Sequence, residues 1–250
     1  MPKLRAVLFD LYGTLVDIKT NEQRDDIFKA VSSFLEYRRV FIPGSELKEL
    51  YFVEINQQIA RSRERHPEVD VVRALDNVLR ERARTTDRYL TMITAQLYRS
   101  LSREYIRLYE DTFWTLNEFK KHYRLGIVSD AQRVFCTPEM RMLRLEDFFD
   151  ALVISSDYGF RKPDPRMFYI ALAMLDVQAS ETAYIGNSYH TDILGARAAG
   201  LALGGLIRQG ESGRKKYMEG KVPDFVTSDL RGAFDWIISN TDSNLSSESD

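Results

Sequence analysis

The stretch LRAVLFDLYGTLVD, residues 4–17, decides the fold. Leu4 to Phe9 is a short apolar run that hardly alternates, which predicts a strand buried on both faces, and it stops at Asp10. Similar runs recur at Arg124–Val128, Ala151–Ile154, Thr182–Ile185 and Leu201–Ile207, with Phe225-Val226 as a weaker sixth. Helical spacing separates them at Thr112–Lys121, Pro165–Leu175 and Asp192–Ala199. Strands alternating with helices of this length predict an α/β fold built on a doubly wound parallel sheet. Such sheets bind ligands at the carboxyl ends of their strands, and Asp10 stands at one of them.

Working outward, the pattern changes between Asp17 and about Leu108, where no convincing strand is visible. Ile27, Val31, Phe34 and Leu35 share one helical face, and Leu47, Leu50, Tyr51 and Ile55 share another, with Ser45 as a plausible N-cap. Asp70 can cap a third helix carrying Val71, Leu75, Val78 and Leu79. Leu90, Ile93, Leu97, Leu101, Tyr105 and Leu108 mark a long fourth. The expected organisation is an α/β core at 1–17 and 109–239 with an inserted all-helical cap at 18–108. Residues 240–250 are rich in Ser, Asp and Asn and are expected to be a disordered tail.

Composition narrows the function classes. Apolar residues are 44% and charged residues 29% of 250, which is ordinary globular usage and excludes disordered and fibrous classes. A net charge of −2 argues against coating nucleic acid or anionic lipid. Mean hydropathy is −0.33, and no apolar run approaches the ~18 residues of a membrane span. The single Cys136 can form neither an internal disulfide nor a cysteine-rich zinc site. Met1-Pro2-Lys3 leads straight into the first strand without a signal-peptide pattern, so a cytoplasmic protein is expected.

Four short stretches stand where strand ends converge: Asp10 to Leu15, Ser129-Asp130, Lys162-Pro163, and Gly186 to Asp192. Each alone is a common turn or cap; together and in this order they form one signal. A carboxylate nucleophile divides a hard displacement into two steps through a covalent aspartyl intermediate, and Asp10 at a strand tip is placed for that. Gly13 allows a sharp turn beside it. Thr14 and Ser129 offer hydroxyls to an anion developing on the transferred group. Lys162 supplies positive charge that keeps Asp10 ionised, and Asp192 can pair with Lys162 or hold a cation.

This ensemble resembles the haloacid dehalogenase superfamily, whose members are mostly phosphatases with an aspartate nucleophile on a Rossmann-like core. The first motif matches Asp10 to Asp17, the second Ser129, the third Lys162, and the fourth Gly186 to Asp192 with the following Gly195 to Gly200. An insert between the first and second motifs is similar to the superfamily's helical cap. The resemblance implies Mg²⁺ held among Asp10, the Tyr12 carbonyl, Asn187 and Asp192, and a small anionic substrate touched by Gly13, Asp130, Asn187 and His190. Two positions depart from the phosphatase pattern. The residue two after the nucleophile is usually a second Asp serving as general acid/base, and here it is Tyr12, whose phenol is a poorer acid and base near neutrality. The fourth motif usually begins Gly-Asp, and here Asn187 brings an amide oxygen without charge.

These departures leave three readings open: a phosphatase of a small phosphorylated metabolite, a metal-independent 2-haloacid dehalogenase, and a catalytically impaired binding protein. Phe9 to Leu15 is most similar to the dehalogenases, whose halide leaving group needs no proton. Asp130 and Tyr189 stand where those enzymes carry Asn, and the fourth motif is closer to the phosphatase branch. Catalytic candidates are therefore Asp10, Tyr12, Thr14, Ser129, Lys162 and Asp192. Weaker signals are the charged loop Arg61 to Asp70, read as a substrate-selecting loop or a solvated turn, and His190, read as a loop residue or a replacement acid. Gly205 to Gly210 mimics a phosphate loop but is followed by Glu211 where Lys is needed. The run Arg214-Lys215-Lys216 is read as a solvated loop, and Cys136 as a bystander. No nucleic-acid or membrane partner is expected. The chain is expected to be a monomer or a homodimer, the latter through cap apolar residues such as Tyr51 and Phe52.

Overall fold

The computed structural model describes residues 3–82, 87–209 and 223–241. Six strands, β1 (Ala6–Phe9), β4 (Arg124–Ser129), β5 (Ala151–Ile154), β6 (Thr182–Gly186), β7 (Leu203–Ile207) and β8 (Phe225–Thr227), form one parallel sheet in the order β5-β4-β1-β6-β7-β8. Each expected strand is present. The strand order changes direction around β1, so Asp10, Ser129 and Gly186 end adjacent strands at the same edge.

The unbroken apolar run of β1 has a simple cause. Val7 and Phe9 enter one core layer with Leu125, Ile127 and Ile185, under α5 (Thr112–Lys120), α6 (Arg133–Met142) and α9 (Leu230–Thr241). Ala6 and Leu8 enter the opposite layer with Val128 and Tyr184, against α7 (Arg166–Leu175) and α8 (Leu194–Ala198). Both faces are dry, and each large side chain here contributes about 1.5–3 kcal/mol. Helices α6 and α9 went unseen in the sequence reading; α6 holds Pro138 in its interior, a residue that argues against a helix.

The insert is helical, as expected, with α1 (Asp25–Tyr37), α2 (Gly44–Arg61), α3 (Val71–Arg82) and α4 (Arg88–Ser102) around their own apolar cluster. Asp70 does cap α3, accepting the Arg73 N–H at 3.0 Å, whereas Pro43 rather than Ser45 precedes α2. Tyr51 lies inside this cluster at 4% exposure, with its ring 5.3 Å from that of Tyr98, and Phe52 packs on Phe28. The surface contact expected of Tyr51 and Phe52 is thereby lost.

The long fourth helix is a correction. It ends at Ser102, and β3 (Arg103–Leu108) pairs antiparallel with β2 (Val16–Thr20), from Val16 opposite Leu108 to Thr20 opposite Arg103. Leu101, Tyr105 and Leu108 fit a helical face, but Tyr105 is 38% exposed while Ile106 and Leu108 turn onto the α/β core, a period of two. This ribbon carries the chain into the insert and back. At the other end, α9 runs through Asn240 to Thr241. The remainder of the expected tail (242–250), Gly210, Glu211 and the basic run at 214–216 lie outside the described residues. Among the described residues no helix is long and apolar enough to cross a membrane.

Candidate active site

The turn after β1 is built by its own backbone. Gly13 adopts φ 80°, which an L side chain would strain, and its N–H bonds to the Val16 carbonyl at 2.7 Å. The Asp10 N–H is held by Ile185 O at 2.9 Å, so the carboxylate is fixed to the sheet edge. Lys162 reaches it from the loop before α7. Its Nζ donates to Asp10 Oδ1 at 2.9 Å, Asp192 Oδ1 at 2.6 Å and the Tyr184 hydroxyl at 2.9 Å. Lys162 is 3%, Asp192 1% and Asp10 7% exposed, so three charges share one dry site.

Burial raises the Asp10 pKa to about 6; Lys162 opposes that rise and Asp192 adds to it. Burial alone would favour neutral Lys162, but Asp10 and Asp192 overrule it and hold the ammonium well above its ordinary range. Asp192 is fully engaged. Beyond Lys162, its Oδ1 accepts the Tyr184 hydroxyl at 3.0 Å, and its Oδ2 accepts the N–H groups of Asn187 and Ser188 at 3.0 and 2.8 Å. Its carboxyl also fills the space above Gly186, where a Cβ would stand 2.5 Å from Cγ. Asp192 is therefore a brace for Lys162 rather than a cation ligand, which corrects the expected metal set.

That leaves Asp10, the Tyr12 carbonyl and the Asn187 amide as oxygen donors for Mg²⁺, with one negative charge among them. Among the described residues, no three His, Cys, Asp or Glu side chains are grouped to hold a metal. Such a donor set suits a weakly held Mg²⁺ that completes its shell with water and phosphoryl oxygens.

Tyr12 departs most from expectation. Its hydroxyl turns away toward the insert and donates a short hydrogen bond to Glu139 of α6, and burial together with Glu139 drives its pKa upward. Arg99 of α4 closes the cluster, 2.8 Å from Glu139 and 3.1 Å from Glu22, with its guanidinium 5.7 Å from the Tyr12 ring. The phenol thus joins insert to core and does not serve the nucleophile. Thr14 is fully buried, and its hydroxyl has no hydrogen-bond partner, a cost of about 1–3 kcal/mol. Ser129 ends β4 at 1% exposure. His190 is exposed, edge-on to Tyr189 at 5.5 Å, and is not joined to the Lys162 cluster. Cys136 is buried and its thiol is pushed up to about 12 by that burial, so it stays an inert thiol.

Beside Tyr12 and Asp130, a cavity of about 330 Å³ separates insert from core. Tyr51, Phe52, Ile55 and Phe135 form an apolar wall, and Glu22, Glu68, Asp130, Arg99 and Arg161 supply the charges. The charged loop of the insert is the latch on this cavity. Glu68 N–H bonds Gly159 O at 3.0 Å, Arg161 N–H bonds His66 O at 2.9 Å, and Glu68 Oε2 accepts Ser155 Oγ at 2.6 Å. The loop touches the core from His66 to Glu68, while Arg61, Arg63 and Arg65 are exposed and Asp70 caps α3, as the turn reading expects. Asp130 accepts the Lys162 N–H at 2.9 Å, so it lies alongside the nucleophile's partner.

Sequence reading missed Arg99, Glu139, Arg161, Gln132 and Tyr184. Tyr184 hides inside the apolar run of β6, where its hydroxyl lies 3.0 Å from Val128 O as an alternative acceptor to Asp192, and it shares the five buried residues with one other hydroxyl, that of Thr182. The Tyr12 anomaly was the available signal for Arg99 and Glu139, since a phenol in an Asp position needs a partner of its own.

Residues 7–205 match the family described as haloacid dehalogenase-like hydrolase. A pyrophosphatase, PpaX, of Bacillus thuringiensis is 29% identical over 225 residues, spanning 90% of this chain and 92% of that protein. Among solved structures, a 2-haloacid dehalogenase from Pseudomonas syringae pv. Tomato superposes with TM-score 0.69 at 20% identity, over 94% of this chain and 99% of that one. A phosphatase of the same superfamily from Thermococcus onnurineus gives TM-score 0.59 at 21% identity, over 94% and 98%. The chain belongs to the haloacid dehalogenase-like hydrolases.

Proposed function

We propose, from that membership, that this hydrolase is a phosphatase of small phosphorylated metabolites working through a covalent Asp10 intermediate. The observation that carries the reading is the buried Asp10–Lys162–Asp192 array at the strand tips. Lys162 pins one oxygen of Asp10, and the other attacks phosphorus as the leaving oxygen departs with the bonding pair. The ammonium of Lys162 balances the anionic phosphoryl group, and Asp192 and Tyr184 fix its position. Mg²⁺ bound at Asp10, the Tyr12 carbonyl and Asn187 would neutralise charge on the phosphoryl oxygens. Water then cleaves the aspartyl phosphate, returning Asp10 and inorganic phosphate. Serving this step, Thr14 and Ser129 are the hydroxyl donors, and Gly13 and Asn187 lie against the phosphoryl group.

The pyrophosphatase relative supports a phosphoryl substrate. A 2-haloacid needs a cation for its carboxylate; in the cavity Arg99 is already paired with Glu139 and Glu22, and Arg161 also lines it. The test assays one preparation for phosphate from 4-nitrophenyl phosphate and for halide from 2-chloropropionate, each with Mg²⁺ and with chelator. Metal-dependent phosphate release is expected. Metal-independent halide release would select the dehalogenase reading, and neither product would select a binding protein.

A further inference from the structure

A phosphatase whose residue 12 is a phenol committed to Glu139 still needs to protonate an alkoxide leaving group. The cavity beside Tyr12 is lined by three carboxyl residues from outside the Lys162 array: Glu22, which is paired with Arg99, Glu68 from the insert loop, and Asp130 from the end of β4. Glu68 is spent on the latch, taking hydrogen bonds from Ser155, Gln132 and its own neighbour Val69. Asp130 is not spent. One oxygen accepts the N–H of Lys162, the residue that grips the nucleophile, and Asp130 lines the cavity together with Tyr12 of the nucleophile's turn. It follows directly on β4, the strand paired with β1, so it stands at the same sheet edge as Asp10.

We propose, on the phosphatase reading above, that Asp130 is the general acid and base of this hydrolase, standing in for the carboxylate absent at position 12. As Asp10 attacks, the P–O bond to the leaving group breaks and its electron pair goes to the leaving oxygen. The Asp130 proton moves to that oxygen, giving the free alcohol, an aspartyl phosphate at Asp10 and an Asp130 carboxylate. In the second half Asp130 removes a proton from the attacking water. The P–O bond to Asp10 breaks, phosphate leaves, and Asp130 is again protonated.

The surroundings shift Asp130 toward its protonated form relative to a free carboxyl. Burial raises its pKa; Lys162 and its backbone N–H oppose this, and Asp192 and Glu68 reinforce it. Facing it across the cavity are Tyr12, Glu22, Glu68, Arg99 and Arg161, of which Arg99 is already paired with Glu22 and Glu139. A neutral Asp130 also removes the like-charge repulsion that an ionised one would impose on Asp10.

The test is Asp130→Asn assayed with Mg²⁺ on 4-nitrophenyl phosphate, phenyl phosphate and an alkyl phosphate, with a thermal melt as the folding control. Asn keeps the acceptor for the Lys162 N–H. Loss of a general acid is expected to cost about 10²–10⁴-fold in kcat/KM on the alkyl ester and less than about tenfold on the nitrophenyl ester. Equal losses on all three esters would overturn the proposal while leaving the phosphatase reading intact. Should the variant fail to fold, wild-type pH profiles decide. An alkaline limb that is deep for the alkyl ester and shallow for the nitrophenyl ester supports Asp130, and an identical limb for both refutes it. Wild-type protein that releases phosphate from none of the three refutes the phosphatase reading, and the proposal with it.

Discussion

Asp10→Asn should abolish turnover and, at the same time, stabilise the fold. Two carboxylates flank one ammonium in a site that water barely reaches, so the array carries a surplus negative charge. Burial lifts the Asp10 pKa from an unfolded value of 3.8 to about 6. Each unit is worth about 1.4 kcal/mol, so ionising Asp10 in the folded state costs about 3 kcal/mol at pH above 6. Asn keeps an acceptor for Lys162 but adds an amide NH₂ whose lack of a partner costs about 1–3 kcal/mol, leaving a net gain of about 0–2 kcal/mol. For a chain of this size that raises Tm by up to roughly 8 °C. The sign follows from linkage. Below pH ~4 the wild-type carboxyl is protonated in both folded and unfolded states, so no charge difference remains. Between about 4 and 6 the unfolded chain releases the Asp10 proton while the folded one keeps it, so wild type loses stability and the variant's advantage grows before levelling off. Calorimetric melts of both proteins from pH 4 to 8 measure this. A variant less stable than wild type at pH 7.5, or an advantage of equal size at pH 4, would refute the reasoning.

Other outcomes follow from the same geometry. Because the nucleophile must be ionised, kcat/KM for an activated aryl phosphate should rise with pH through about 6, a limb absent if Asp10 is not the attacking group. Lys162→Met leaves Asp10 and Asp192 uncompensated and should destabilise by about 3–5 kcal/mol in denaturant titration, besides removing activity. Asn187→Asp adds a second carboxylate to the cation donors and should lower the Mg²⁺ concentration for half-maximal phosphate release; an unchanged requirement would exclude Asn187 as a ligand. Glu64→Ala breaks only an exposed ion pair with Arg166 and should change stability by less than about 1 kcal/mol.

The sheet and the convergence of Asp10, Lys162 and Asp192 were legible because buried parallel strands leave uninterrupted apolar runs, and each run ends on a polar residue. The β2–β3 ribbon was not, since Leu101, Tyr105 and Leu108 satisfy a helical period while Ile106 and Leu108 satisfy a strand period. Only packing onto the α/β core decides between them. The role of Asp192 was half legible: its pairing with Lys162 follows from charge, but the two backbone N–H groups that occupy its second oxygen depend on a turn that sequence does not spell out. Tyr12 marked a departure without revealing its direction, because Glu139 and Arg99 lie far along the chain on α6 and α4. Asp130 was visible as an acid at a strand end, yet its tether to the Lys162 amide was not.

The ribbon has a mechanical consequence. Its first strand begins at Val16, whose carbonyl is bonded to Gly13, three residues beyond Asp10. The four helices are thus mounted on a short stalk rooted in the nucleophile's own turn. The same turn carries Tyr12, whose hydroxyl is held by Glu139, the carboxylate that Arg99 of α4 also grips, so the root of the stalk and the last helix it carries share one anchor on the core.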